Sequence, residues 1–427
     1  MIEGRQDGDG FWMRLDNAAK IYPAIRNRES TSVMRISVDL KERIKARQFA
    51  EAVRIVEKRF PYYKMKLLKG FFWYYLEYQN YAVRVSADLR ELCRSFREDE
   101  IMYRILVREN RISIEFSHIL TDGTGAFEFL KTLLLVYLEK CGITLPPGIC
   151  FLHPEDPVSE EEYEDAFKRY FEKSTSPLIK VTHAFHLPFT LNLKPRFNVL
   201  LGIVSVNEIT TKAKEFRVSL TEYLIAVYLN ALQDVYLSLP NSLKRKSNKE
   251  IRIEVPMNLR RVYPSKTMRN FTLYVMPEID LRLGRYTFEE LIKVVYHQMH
   301  LETDKKLINK MISRNVGSEM NPFIRSMPLI IKSFVLLKVY TQATGKYSGV
   351  ITNLGKIDFG PEINSHIRRF IFIAPPTNEV VKINCGVVGF EDQLVLSFGN
   401  ITASKNLEKY FFSFLSSQGI HVKIENY

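Results

Sequence analysis

Cysteine is scarce in this chain. Cys93, Cys141, Cys150 and Cys385 are the only four, with no Cys-x-x-Cys pair and no histidine at metal-ligand spacing. That excludes a disulfide framework and implies no metal site. The thiols read as reduced and mostly packed, which suits a cytoplasmic protein. Long apolar runs are missing too. Residues 129–138 are too few to cross a bilayer, and residues 327–340 are interrupted by Lys332 and Lys338, so no integral membrane segment is expected. Residues 1–10 are polar and have no apolar core of a secretory leader. No zinc-finger, helix-turn-helix or RNA-binding motif is present, which argues against nucleic acid as a partner. Internal repeats and low-complexity segments are likewise absent.

What is present fits a large globular chain. Its 427 residues are long for one core, so two domains are expected. Hydrophobic residues at 46% and charged residues at 26% are ordinary for such a fold. The 28 Phe and 22 Tyr suffice to line an apolar cavity as well as a core. The net charge of +13 concentrates between Lys244 and Arg269, where nine Lys or Arg face only Glu250 and Glu254. Without nucleic-acid motifs, the partners left for that charge are an anionic membrane or a phosphorylated small molecule. Lys244-Arg-Lys246 itself reads as a solvated loop.

Periodicity predicts alternating helices and strands, hence an α/β fold. A helix is expected over 46–60, with Phe49, Val53 and Val56 on one face. Residues 62–68 and 71–78 read as paired strands around Lys69-Gly70, and 102–107 with 112–116 as a second hairpin. Residues 146–195 look like a linker with one exposed helix in their acidic run. Strands follow at 197–207, 251–256, 271–279, 348–351, 370–374, 384–390 and 393–398. Helices are expected at 220–237, capped by Ser219 or Thr221, and at 404–415. The apolar segment 328–340 is expected to be a helix packed on a sheet, in preference to one lying on a membrane surface.

The most informative stretch is Ser117-His-Ile-Leu-Thr-Asp-Gly123, between the alternating run 111–116 and the helix-like run 127–138. A histidine at a strand's end is well placed to act as a general base, because its ordinary pKa near 6.5 suits proton transfer at neutral pH. Asp122 is too close along the chain to be an independent second catalyst. It more simply pins the turn by hydrogen bonds or a salt bridge. Gly123 lets the backbone turn where a side chain would clash.

These residues carry a family resemblance. With Phe11-Trp-Met-Arg-Leu-Asp-Asn17, Val255-Pro-Met-Asn-Leu-Arg260, 265–271 and Ile351-Thr-Asn-Leu-Gly355, the chain resembles the coenzyme-A-dependent acyltransferase superfamily. That superfamily includes chloramphenicol acetyltransferase, plant HxxxD acyltransferases and peptide-synthetase condensation domains, and the nearest likeness is to bacterial alcohol acetyltransferases. Ser117 stands where many condensation domains carry a second histidine. The resemblance implies two lobes, each a mostly antiparallel sheet with helices on one side, and a tunnel between them. Residues 1–180 would form the lobe bearing the HxxxDG motif, and 181–427 the lobe that completes the tunnel.

The resemblance also implies roles. His118 would be the general base, supported by Asp122 and Gly123. Thr352 or Asn353 would donate to the oxyanion, against the alternative of a plain turn. Arg260 and Asp358 would form a structural ion pair, with Arg260 or Arg261 as alternative partners of Asp122. Acyl-CoA would be a co-substrate, with no tightly bound cofactor, and a small alcohol or amine the acceptor. No covalent acyl-enzyme is implied, so neither Cys93 nor Ser117 is read as a nucleophile. Two other readings stay open: a condensation-type enzyme fed by a carrier protein, and a non-catalytic relative that binds acyl groups.

Overall fold

The computed structural model describes residues 11–26, 30–88, 91–173 and 181–427. The polar stretch 1–10 and the end of the expected first lobe, 174–180, lie outside the described residues. Two sheets dominate. The first has five strands in the order Ile367–Ile373, Val33–Leu40, Arg111–Ser117, Tyr103–Arg108 and Val85–Ala87, antiparallel except for the last pair. The second has eight. Its main path runs Thr272–Val275, Glu250–Asn258, Gly349–Ile357, Ile383–Phe390, Gln393–Asn400, Asn198–Ser205 and Val422–Asn426, with Glu278–Asp280 also beside Glu250–Asn258. Gly349–Ile357 is parallel to both of its neighbours, and the remaining pairs are antiparallel. A small sheet of Trp12–Arg14, Tyr74–Tyr78 and Met65–Lys69 stands apart.

Helices cover these sheets for reasons the sequence carries. Ala46–Arg59 buries Phe49, Val53 and Val56 from one stripe and packs beside Gly123–Lys140 in the core of the first sheet. Leu220–Ser238 is apolar on nearly every side and is sunk in the second core. Its first turn is closed by a reciprocal capping box between Ser219 and Glu222.

The chain does not divide cleanly at residue 180. Strand Ile367–Ile373, from its last quarter, completes the first sheet beside Val33–Leu40. It also packs against Ile383–Phe390 of the second. A Cβ on Gly386 would come within 2.3 Å of the Phe372 carbonyl oxygen, so only glycine permits that approach.

Two expectations need correction. The acidic part of 146–195 is no free linker, because Glu162 is buried in a two-pronged ion pair with Arg59, at 2.8 Å for each prong. Tyr62 adds a third donor to the same carboxylate at 2.7 Å. Helix Leu329–Thr344 exists, but it does not press its apolar side on a sheet. Of its residues only Leu329, Lys332 and Thr344 are buried. Among the described residues no helix is long and apolar enough to cross a membrane.

Candidate active site

Strand Arg111–Ser117 delivers His118 at its end, and helix Gly123–Lys140 begins five residues later. The His118 backbone is held from two sides: its N–H donates to the Ser32 carbonyl at 2.8 Å, and its carbonyl accepts from the Asn270 amide at 2.9 Å. Tyr22 stacks on the imidazole, with ring centroids 5.3 Å apart and planes 21° from parallel. The ring lies deep in the protein, although the residue keeps some accessible surface. Nδ1 is sealed off and has no hydrogen-bond partner. Nε2 is the nitrogen left facing accessible space.

Burial pushes the imidazole below its ordinary pKa, against an opposing pull from the charge of Asp122. The neutral, proton-accepting form is therefore favoured. Asp122 itself is fully committed. As N-cap of the helix, its Oδ1 accepts from Gly125 N–H at 3.1 Å. Its Oδ2 accepts from Arg260 Nη1 at 2.8 Å, Phe271 N–H at 2.9 Å and the Thr272 hydroxyl at 3.0 Å. Burial alone raises this carboxyl, but the Arg260 guanidinium and the N–H donors outweigh it and hold the pKa below the usual carboxylate range.

Arg260 thus pairs with Asp122, and the pair with Asp358 does not form. The rest of the Arg260 guanidinium is spent on the carbonyls of Thr267 at 2.9 Å and Arg269 at 2.6 Å. Asp358 lies at the surface, where it caps a turn by accepting from Gly360 N–H and the Asn364 amide. The physical reason is distance in burial: the guanidinium is enclosed at the seam of the sheets, whereas Asp358 is solvated.

Gly123 opens the helix opposite Leu354, whose Cδ2 would lie 2.9 Å from an added Cβ. Gly125 is the more tightly confined, since a Cβ there would meet Thr121 Oγ1, the Met268 carbonyl and Tyr63 Oη, all within 2.7 Å. Thr352 and Asn353 sit on strand Gly349–Ile357, just before an irregularity in its pairing. Asn353 is used structurally: its amide donates to Thr221 Oγ1 at 3.1 Å, and its carbonyl accepts from Gly355 N–H at 2.8 Å. Among the described residues the Thr352 hydroxyl has no protein partner, and it is not sealed from solvent.

Sequence reasoning missed a group behind and beside His118. Asp16 accepts from Asn270 at 3.0 Å, and the same Asn270 amide holds the His118 carbonyl. The segments 11–17 and 265–271 therefore meet at one point behind the imidazole. Burial raises the Asp16 carboxyl to about 6 despite nearby Arg269. Burial raises the Glu254 carboxyl to about 7, against the opposing hydrogen bond of Tyr347, and its charge reaches Tyr22. Its charge also reaches Tyr274 and Tyr340. Asp16 and Asn270 are buried, whereas Tyr22, Glu254, Tyr274, Tyr340 and Tyr347 keep partial access, as His118 does.

The concentrated basic charge is largely structural. Arg260 holds Asp122, Arg252 pairs with Glu278, and Arg269 donates to the Arg14 carbonyl beside Asp16. Within the segment 244–269, Arg245, Lys246 and Arg261 carry no side-chain partner among the described residues. Cys93 and Cys385 are buried, and burial pushes both thiols up, which disfavours a nucleophilic thiolate.

No family model matches this sequence, and no curated protein matches it. Solved structures do match in shape. Trichothecene 15-O-acetyltransferase from Fusarium sporotrichioides is 10% identical and covers 98% of this chain and 96% of its own, with a TM-score of 0.62. TRI101 from Fusarium graminearum, solved with coenzyme A and T-2 mycotoxin, is 10% identical over 97% of this chain and 99% of its own, with a TM-score of 0.65. The first condensation domain of the CDA synthetase is 12% identical over 96% and 97%, with a TM-score of 0.61. At these identities the likeness establishes the fold: this chain has the two-lobed architecture of those acetyltransferases and condensation domains.

Proposed function

We propose that the protein transfers an acyl group, acetyl in the first instance, from a coenzyme A thioester to a hydroxyl acceptor, with His118 as general base. The observation that carries this reading is the state of the two motif residues. His118 is deeply buried, its burial favours the neutral imidazole, and Nε2 is the ring nitrogen that is not sealed off. Asp122 has every oxygen occupied by protein donors and is free for no other work. The solved trichothecene acetyltransferase and the structure containing coenzyme A and T-2 mycotoxin support the choice of donor and acceptor class.

The reaction runs in three movements. Nε2 accepts the acceptor hydroxyl's proton as that oxygen attacks the thioester carbonyl carbon. The C=O π bond breaks to leave a tetrahedral oxyanion, to which the unpartnered Thr352 hydroxyl donates. The oxyanion then re-forms its carbonyl, the C–S bond breaks, and the imidazolium returns the proton to the departing thiolate. Proton and electron pairs balance with no acyl-enzyme, and the raised pKa of the buried Cys93 and Cys385 thiols disfavours either as a nucleophile. Asp122 positions the helix and loop around the base. Among the described cations without a side-chain partner, Arg245, Lys246 and Arg261 fall in the basic segment 244–269 and are candidates for the phosphates of coenzyme A.

A panel of acetyl- and longer acyl-coenzyme A donors with alcohols and amines tests the reading. Thiol release should require the acceptor, and intact-mass analysis after exposure to donor alone should find unmodified protein. Release without acceptor, accompanied by an acylated side chain, contradicts it. Activity only with a carrier-bound donor selects the condensation-type alternative.

A further inference from the structure

Helix Leu329–Thr344 is an amphipathic helix turned inside out. Its cation Lys332 points inward, where Nζ donates to the carbonyls of Phe72 at 3.0 Å and Arg325 at 3.1 Å and lies 3.8 Å from the centre of the Trp73 ring. Most of its large apolar side chains point outward instead. Ile330 is 74% exposed and Phe334 72%, and Ile331, Val335 and Leu337 are exposed around them. The hairpin tip that receives the helix adds to this face: Leu329 N–H donates to the Phe71 carbonyl, and the Phe71 side chain is 72% exposed. A monomeric protein in water does not gain from such an arrangement, and large contiguous apolar patches mark interaction surfaces.

Charge says what covers it. From Asn321 to Ile357 there is no Asp or Glu, whereas Arg325, Lys332, Lys338, Lys346 and Lys356 all fall there. Lys338 is exposed on the same helix. A second copy would bring the same basic segment and the same net charge of +13 against its own likeness, which opposes pairing. A helix face with outward Ile and Phe and an exposed lysine matches the interface of an anionic bilayer, where apolar side chains enter the acyl boundary and cations meet the headgroups.

We infer that the protein docks on anionic lipid surfaces through the outward face of helix Leu329–Thr344 and the neighbouring Phe71 tip. The opposite face of this helix packs against helix Tyr22–Ile25, which carries the ring stacked on His118. Docking therefore sets the lipid surface one helix away from the candidate base. The binding itself does not depend on the acyl-transfer reading.

The test is flotation of the full chain with phosphatidylcholine vesicles, with and without phosphatidylglycerol, beside the Ile331→Asp/Phe334→Asp double variant. Both positions are exposed, so the variant should fold, which circular dichroism checks. The wild type should float with phosphatidylglycerol vesicles, less with phosphatidylcholine alone and less at high salt, and the variant's partitioning should fall about tenfold or more. A wild type that stays unbound, a variant that binds equally, or self-association that the same substitutions abolish would overturn the inference.

Discussion

Asp122 Oδ2 lies 2.8 Å from Arg260 Nη1, and this contact ties the helix after His118 to the strand pair that begins the second sheet. Both side chains are almost enclosed, so the pair is costly to break from one side. Asp122→Ala leaves a guanidinium and the Phe271 N–H without their acceptor. The expected loss of stability is about 3–5 kcal/mol, read as a lower urea midpoint at unchanged slope. A loss below about 1 kcal/mol would class the pair with ordinary surface ion pairs and remove its latching role.

The hairpins around His118, the helix over 46–60 and the closing strands were legible because their apolar periods are regular. Strand Val33–Leu40 was not. All eight of its residues are buried, but Arg35 and Asp39 interrupt its apolar pattern. Their charges are satisfied by residues far along the chain, Arg35 by Glu115 and Asp88, and Asp39 by Arg111 and Arg369. Helix Phe288–Glu302 also went unread, although Thr287 and Glu290 form a capping box that signals its start. Within the site, His118, Asp122 and Gly123 are contiguous and could be seen. Arg260 is already an alternative partner of Asp122 in the sequence, and the structure makes that pair. Asp16, Tyr22 and Glu254 come from a loop, a short helix and a strand far apart in the chain, so only folding brings them together.

The depressed pKa of His118 fixes the sign of its pH effects. A base that must be neutral keeps working below its ordinary pKa, so the acid limb of kcat/KM should fall below pH 6.5. The same shift means that the unfolded chain binds a proton the folded one refuses, and this contribution weakens stability as pH falls below 6.5. An acid limb above pH 7 in the free enzyme would contradict the burial argument.

Glu254 titrates in the opposite sense. Folded, it holds its proton to about 7, while the unfolded side chain loses it near 4.5. Its contribution to stability therefore declines as pH rises through that window. Glu254→Gln removes the decline, so the melting-temperature difference between variant and wild type should grow in the variant's favour from pH 4.5 to 7 and then level off. A difference independent of pH would show that Glu254 ionises freely in the folded protein.

Thr352 and Asn353 should separate cleanly. Thr352→Val removes the free hydroxyl and should lower kcat on the order of 10²-fold with KM little changed. Asn353→Ala breaks the link to Thr221 and should show itself mainly in stability. The reverse pattern would move the oxyanion role to Asn353.

The central claim is that His118 is the base of acyl transfer, and its most direct test is acceptor-dependent thiol release from acetyl-coenzyme A by wild type and His118→Ala, with folding of both checked by circular dichroism. The account predicts a fall in turnover on the order of 10²–10⁴ in a folded variant. A folded His118→Ala protein that turns over at the wild-type rate would contradict it.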